Sequence, residues 1–597
     1  MNNFIKFFFA SCLGTVVGLF ALTLISIGGL AGISMLTGGG KPSVKGNSVL
    51  LLDFAQAIPE LTDNTSGGAS GLPVSFGEKT NGLRDILQAI AAAKTDDKIK
   101  GIYMEMDGAA AMGMATRSVL RNALLDFKKS GKFTVAYANR YTQGGYYLAS
   151  AADKLYINPK GAIQWSGIAA QVPFFKVLFD KLGVKAQVYY AGKFKSATES
   201  FRRTEMSPEN KLQVREYMQD NYNSMLQSVA DSRKMTPEEL FKIADGYLVR
   251  TANDAVKYKM ADGVKYKDEI LADLRRRLGL EKKDKIPTVS LDTYIEAHTA
   301  DNGSGSNRIA VVYAEGNIED GKSEGGSIGG DTYSALIRKL REDDKVKAIV
   351  LRVNSGGGSS LASELIWREL KLCREQGKPV VVSMGDVAAS GGYYIAAPAN
   401  KILAEPTTIT GSIGVFGIIP NAGGLMRDKL GITFDTVKIG KYSVASSGNI
   451  YYEFNEDEGQ IIQQMVDTTY SDFLNRVAEG RKMTKEAVNE IAQGRVWTGK
   501  KALTLGLVDT LGGLPDAIRS AAEFAKLKTY KLVHYPESKS AIERLTDKIK
   551  GADGSNSARA YMQQQLGKGL YQQYIWLQEV QKMQGVQMRL PFLMENW

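Results

Sequence analysis

Met384-Gly385-Asp386-Val387-Ala388-Ala389-Ser390-Gly391-Gly392-Tyr393-Tyr394 decides the fold, because the chain contains this stretch a second time in altered form. The earlier copy reads Tyr141-Thr142-Gln143-Gly144-Gly145-Tyr146-Tyr147, with Gln143 where Ser390 stands. Working outward, Asp96-Asp97-Lys98-Ile99-Lys100-Gly101-Ile102 precedes Asp343-Asp344-Lys345-Val346-Lys347-Ala348-Ile349 by 247 positions, the spacing that also separates Gln143 from Ser390. Arg233-Lys234-Met235-Thr236 precedes Arg481-Lys482-Met483-Thr484 by 248. An offset held over so long a span means two tandem domains of one fold. The period is far too long for a solenoid.

The copies differ in a complementary way. Gly192-Lys193-Phe194-Lys195-Ser196-Ala197 corresponds to Gly440-Lys441-Tyr442-Ser443-Val444-Ala445, with Ser443 where Lys195 stands. One copy keeps the serine and the other keeps the second lysine. Complementary loss at two polar positions points to one site that uses both survivors.

Each copy opens with a strand, Ser48 to Phe54 or Arg308 to Tyr313. A Gly/Ser-rich loop and a helical stretch follow, then buried strands at 101–104 or 348–351 and at 133–135 or 380–382. Strands alternating with helices predict an α/β layout with a parallel sheet. Ser207-Pro208 and Asn455-x-x-Glu458 carry helix-start signals. The expected domains are a signal anchor and linker at 1–47, a first repeat at 48–298, a second at 308–535 and a helical tail at 536–597. Asn302 to Ser306 is a flexible linker. In the tail, Leu566, Leu570, Tyr574, Leu577 and Val580 recur at helical spacing, which predicts an amphipathic helix.

Phe7 to Leu36 contains no charged residue, long enough for the roughly 20 apolar residues that cross a bilayer. It lacks a clear cleavage signal, so it reads as an uncleaved anchor. Lys6 precedes it and Lys41 and Lys45 follow, leaving the charge rule for orientation nearly silent. The formal net charge is +11, but the basic residues are dispersed and no nucleic-acid motif accompanies them. Attraction to an anionic membrane surface fits better, and no nucleic acid is expected.

Cys12 and Cys373 are the only cysteines, and no Cys/His cluster has metal-ligand spacing. Neither a metal nor another cofactor is expected. His298 and His534 are the only histidines and lie outside the repeated core, which pushes any hydrolase reading toward a lysine base. Ser390 follows a strand and precedes Gly391-Gly392, a strand-to-helix turn where the following amide and the helix dipole favour an oxyanion. Read alone, it also suits a helix-capping serine. Asn354-Ser355-Gly356-Gly357-Gly358-Ser359 ends the preceding strand and lets backbone amides approach a substrate closely. Gly108-Ala109-Ala110-Ala111 is less suited to this in the first copy. Lys193 recurs as Lys441 and reads as solvated, while Lys195 is unshared. A lysine titrates near 10.4 and becomes a base when burial lowers that value. Ser412, in Thr410-Gly411-Ser412-Ile413-Gly414, is placed to orient the amine.

At these residues the chain resembles the signal peptide peptidase A family, in its long two-domain protease IV form. Val353-Asn354-Ser355-x-Gly357-Gly358-Ser359, the Met384–Tyr394 stretch, Thr410 to Gly414 and Lys195-Ser196-Ala197 carry the resemblance, which covers nearly everything from 48 to about 535 and the anchor. It implies tandem Clp-protease/crotonase-like domains of ββα spiral units behind an N-terminal transmembrane helix. It implies that Ser390 is the nucleophile, Lys195 the general base, Gly391 and Gly357 the oxyanion amides, and Ser412 the lysine's orienter. It also implies a homo-oligomeric ring, a tetramer in the family. The ring would sit on the bacterial inner (cytoplasmic) membrane with its catalytic domains on the periplasmic side, degrading cleaved signal peptides. One departure is Gly356, where the family has proline.

Two other readings remain at this level. A crotonase-type acyl-CoA enzyme would want acidic residues near the glycine loops, and a non-catalytic membrane scaffold would leave Ser390 unreactive. The peptidase reading predicts an apolar groove for extended peptides, with Val415, Phe416 and Ile418 in it and Tyr393 and Tyr394 beside the nucleophile.

Overall fold

The computed structural model describes residues 42–62, 80–108, 112–298, 302–323, 326–537 and 586–590, together with Gly14 and Gly18. Apart from Gly14 and Gly18, the apolar stretch Phe7–Leu36 of the expected anchor lies outside these residues, as does the amphipathic stripe at 566–580. Among the described residues, no helix is long and apolar enough to cross a membrane.

The first repeat contributes β1 (Ser48–Asp53), β2 (Ile99–Glu105), β3 (Phe133–Tyr141), β4 (Lys154–Ile163), β5 (Lys185–Ala191), β6 (Gly263–Val264) and β7 (Thr288–Ser290). The second contributes β8 (Arg308–Glu315), β9 (Ile318–Glu319), β10 (Ile328–Gly329), β11 (Val346–Ser355), β12 (Gly357–Ser359), β13 (Val380–Ala389), β14 (Lys401–Ala404), β15 (Ile409–Gly411), β16 (Val415–Asn421), β17 (Val496–Thr498), β18 (Thr510–Leu511) and β19 (Lys531–Tyr535). A last strand, β20 (Val586–Arg589), comes from the tail.

One sheet has the order β6-β4-β3-β2-β1-β7 and is parallel throughout. A second runs β17-β15-β13-β11-β8-β19, with β14 and β18 attached beside β13. The two sheets repeat one another: β7 adds parallel to β1 as β19 adds parallel to β8. Helices cover both faces, so β8 and β11 are near-continuous apolar runs rather than alternating ones.

The helices repeat as well. Pro208–Arg233 and Glu456–Arg481 are both 26 residues long. Ser207 caps the first, and Asn455 closes a capping box with Glu458 on the second, as their sequences predict. Both end on a left-handed lysine, Lys234 and Lys482.

A third sheet breaks the symmetry, with the order β10-β9-β12-β20-β16-β5. Here β5 leaves its own repeat and pairs antiparallel with β16 of the second, from Val415 opposite Ala191 to Asn421 opposite Lys185. This crossing carries the chain just before Lys195 into the second repeat. Between β12 and β16 lies a gap one strand wide, which β20 fills, antiparallel to both neighbours. The sequence reading contained no strand there.

Candidate active site

Ser390 sits where β13 ends and the helix Gly391–Ala396 begins. Its backbone has φ 56° and ψ −117°, a conformation that L-residues avoid. Holding a non-glycine residue in such a region costs about 1–3 kcal/mol, and the surroundings must over-determine it. They do: the Ser390 amide donates to the Gly411 carbonyl at 2.8 Å, and the Ser390 carbonyl accepts from Tyr394 N at 2.8 Å. The side chain makes no capping bond to the helix, so the helix-cap reading of this serine does not hold. Gln143 starts its helix without this turn, and Thr142 does the capping, accepting from Gly145 N.

Lys195 reaches the same point from the other repeat. Its Nζ lies 2.8 Å from Ser390 Oγ, 3.0 Å from Ser412 Oγ and 3.1 Å from the Ser412 carbonyl oxygen. All three residues are buried, Lys195 at 1% exposure and both serines at 0%. Burial lowers the lysine pKa well below its ordinary value, and no carboxylate opposes that effect. Ser412 also has a positive φ of 50°, fixed by its amide donating to Arg495 O at 2.7 Å.

The lysine loop is clamped between the repeats. Phe194 N donates to Gln493 O at 2.8 Å, and Gly494 N donates to Ile413 O at 2.8 Å. Gln213 donates to Phe194 O at 3.0 Å and accepts from Val496 N. Beneath the loop a buried network joins Ser196, Asn210, Gln213 and Glu199. Sequence reasoning missed Gln213, Asn210 and Glu199, because a polar residue on a helix gives no sign of what it will face. By contrast, Lys193 and Lys441 are exposed, as their recurrence in both copies suggested.

The glycine loop faces the nucleophile. Gly357 has φ 98°, and an ideal Cβ on it would fall 2.6 Å from Gly391 N and 2.0 Å from the Met588 carbonyl oxygen. Only glycine fits there. The Gly357 amide, one of the two expected oxyanion donors, instead donates to Ser355 Oγ at 3.1 Å. Gly358 stands opposite Met588 in the β12–β20 ladder, and Leu590 N donates to Gly356 O at 2.9 Å. Hydrogen-bonded pairs alternate along an antiparallel ladder, so Gly358 and Met588 face each other as the next such pair. An ideal Cβ on Gly391 would fall 3.2 Å from Gly358 N.

Two expectations about the groove change. Tyr393 is fully buried and donates to Leu507 O, and Tyr394 is 3% exposed and bonded to Glu364, so both belong to the core. Phe416 and Ile418 pack with Phe201 in a separate cluster, whereas Val415 shares the apolar cluster of Met588, the β20 residue in the groove. In the first repeat, Arg117 packs its guanidinium against Gly144, and Gln143 bonds to Gly167 O and Ser166 N. That corner is filled.

A sequence model of Peptidase family S49 matches twice, at residues 126–281 and 373–528, two spans offset by 247. The chain belongs to peptidase family S49. Lys195 falls in the first match and Ser390 in the second. Protease 4 of Salmonella typhi is 37% identical over 90% of this chain and 88% of its own. The chloroplastic serine protease SPPA of Arabidopsis thaliana is 34% identical over 79% of this chain and 70% of its own. This S49 peptidase is thus a serine peptidase whose two family domains are fused. A ClpP1 variant from Listeria monocytogenes overlaps 35% of this chain and 94% of its own at a TM-score of 0.23 and 14% identity. The fold stands on the sheets described above, not on that overlap.

Proposed function

We propose that this S49 peptidase is an endopeptidase in which Ser390 is the nucleophile and Lys195 the general base. The contact of 2.8 Å between Lys195 Nζ and Ser390 Oγ carries the reading, because this lysine is buried with no acid beside it. A neutral amine accepts the Ser390 proton as Oγ attacks the scissile carbonyl, then passes it to the leaving amine. Ser412 fixes the amine's direction. The amides of Gly391 and Gly358 receive the oxyanion. Gly358 takes the place first expected of Gly357, whose N–H is already bonded to Ser355. Gly357 forms the turn that brings Gly358 in. A fluorophosphonate probe tests the reading: it should label the wild type at Ser390 and leave Ser390→Ala and Lys195→Ala unlabelled. Equal labelling of the Lys195→Ala variant would remove the base from the mechanism.

Substrates lie extended between β12 and β16, bonding by backbone to both. Cleaved signal peptides suit this site, because their apolar cores supply extended segments without charge. The Phe7–Leu36 segment is the single-pass anchor that holds the enzyme on the bacterial inner membrane, with the catalytic repeats on the periplasmic side.

The repeat also specifies how copies join. The counterpart of β5 in the second repeat is 433–439, and that of β16 in the first is 168–174. Pro173 precedes Pro420 by the usual 247 positions. Among the described residues 433–439 pairs with no strand, and Val437 and Ile439 are 92% and 94% exposed. Residues 168–170 border a cavity of about 480 Å³ together with Met206, Val214, Met218 and Tyr222. Segment 433–439 of one copy adds to 168–174 of the next as β5 adds to β16. Such head-to-tail contact closes into a ring when the rotation permits, and the family resemblance favours a tetramer.

A further inference from the structure

We infer that Asp386 is a positioning residue for Ser390: the first repeat holds its carboxylate and so fixes a bulge in β13 that brings the nucleophile level with the glycine loop. The inference rests on the Ser390 reading above.

β11 and β13 pair in parallel from Ile349 opposite Val380 to Val353 opposite Met384. The next pair is Ser355 opposite Ala388, so β13 carries two more residues than β11 over this step. Ser390 therefore follows Ala388 as Gly357 follows Ser355, and the two stand level. In an uninterrupted register Ser355 would face Asp386. Ser390 would then lie two residues, about 6.6 Å at the strand rise, past the glycine loop. A bulge of this kind re-aims a side chain at an active site.

The second repeat holds the two ends of the bulge. Val387 N donates to Asn354 Oδ1 at 3.1 Å, and Thr408 Oγ1 donates to Gly385 O at 2.7 Å. The first repeat holds its middle. Thr116 N and Thr116 Oγ1 donate to the Asp386 carboxylate at 2.9 and 2.6 Å. Thr116 is the third residue of the helix Met114–Lys128, which starts after Gly113 and has no acidic residue in its first turn. A helix start leaves amides open and favours a negative charge. Asp386 makes the bond that an N-cap side chain makes to the third helical amide, but from the other repeat. An ideal Cβ on Gly113 would fall 2.0 Å from Asp386 Cγ, so the carboxylate fills the space that glycine leaves. Beside it, an ideal Cβ on Gly385 would fall 2.6 Å from Glu60 Oε1. Glu60 also belongs to the first repeat, and Arg352 Nη2 donates to it at 2.9 Å.

The copy without the serine is arranged differently. Asn139 precedes Asp386 by 247 positions and is exposed, and its bonds to Asp107 and Asn158 stay within its own repeat. In the catalytic copy, truncating Asp386 frees the middle of the bulge four positions before Ser390. Ser390 Oγ then shifts against Lys195 and the Gly358 amide, while the strand edges that bind substrate stay in place. The loss belongs to kcat rather than KM.

Steady-state hydrolysis of an apolar peptide and the rate of fluorophosphonate labelling at Ser390, both measured well below Tm on the full chain, test this. Asp386→Ala should lose at least about tenfold in kcat and in labelling rate, within the cost of a displacement of about 1 Å, with KM unchanged. Asp386→Asn still accepts from Thr116 N and should recover most of that loss. Thr116→Val removes one of the two bonds and should lower kcat by less, adding nothing when combined with Asp386→Ala. It also serves if Asp386→Ala does not fold. A lowered Tm with wild-type kcat and labelling in Asp386→Ala, or in Thr116→Val where only that variant folds, overturns the inference and leaves a helix cap. So does a loss confined to KM. A wild type that hydrolyses the peptide without labelling at Ser390 removes the nucleophile, and the inference with it.

Discussion

Lys195 and Gly494 occupy adjoining space with no room between them: an ideal Cβ on Gly494 would fall 2.6 Å from both the backbone nitrogen and the Cβ of Lys195. Gly494 also has φ 77°, so a side chain there is strained as well as crowded. Gly494→Ala should push the lysine loop away from Ser390. A displacement of about 1 Å at a catalytic group costs on the order of 100-fold in rate. Peptide hydrolysis should fall by about that much while the fold, followed by circular dichroism, persists. Activity within twofold of wild type would mean that the lysine loop yields without losing its aim.

The two dyad residues act as a unit. Ser390→Ala and Lys195→Ala should each abolish turnover, and the double variant should be no worse than either, since coupled catalytic groups are not additive. Lys193→Ala should keep most activity, because that side chain is exposed. A Lys193→Ala loss equal to that of Lys195→Ala in kcat/KM would reverse the assignment.

The sign of the pH dependence follows from the direction of the Lys195 shift. Its pKa is lowered in the folded protein, so activity should rise with pH through the depressed value and level off below 10.5. Stability moves the same way. Between the folded and unfolded pKa the unfolded chain binds more protons, so this group makes folding more favourable as pH climbs toward 10.5. Lys195→Met should therefore raise Tm at pH 7, with the gain shrinking as pH rises. A gain that grows with pH would show that the folded lysine keeps its proton.

Because Ser390 and Lys195 meet within one chain, mixing Ser390→Ala with Lys195→Ala chains should restore nothing. Recovery of activity in the mixture would place the pair across chains.

Assembly should depend on the exposed arm. Val437→Asp with Ile439→Asp puts two carboxylates where burial of the apolar side chains contributes about 1.5–3 kcal/mol each. Light scattering should then report a smaller species than the wild type. Cleavage of short peptides should continue, since the dyad lies elsewhere. An unchanged mass would exclude strand exchange through 433–439.

The sequence by itself determined the duplication, the alternation of strands and helices, and the chemical kinds of residue at the site. Constant offsets, apolar runs and unshared Ser390 and Lys195 are local or periodic signals, and they survive without coordinates. Tertiary structure alone decided what those residues meet. β5 crosses to β16, and that pairing brings Lys195 to a serine far along the chain. The Gly411 carbonyl draws the Ser390 amide into a strained turn that its capping-type sequence conceals. Ser355 takes the Gly357 amide, leaving Gly358 to face the groove. Val586-Gln587-Met588-Arg589-Leu590 alternates apolar and polar residues, a strand signal too short to name the edges it joins. It is extended because β12 and β16 each leave a row of backbone groups open, and a chain between them satisfies both.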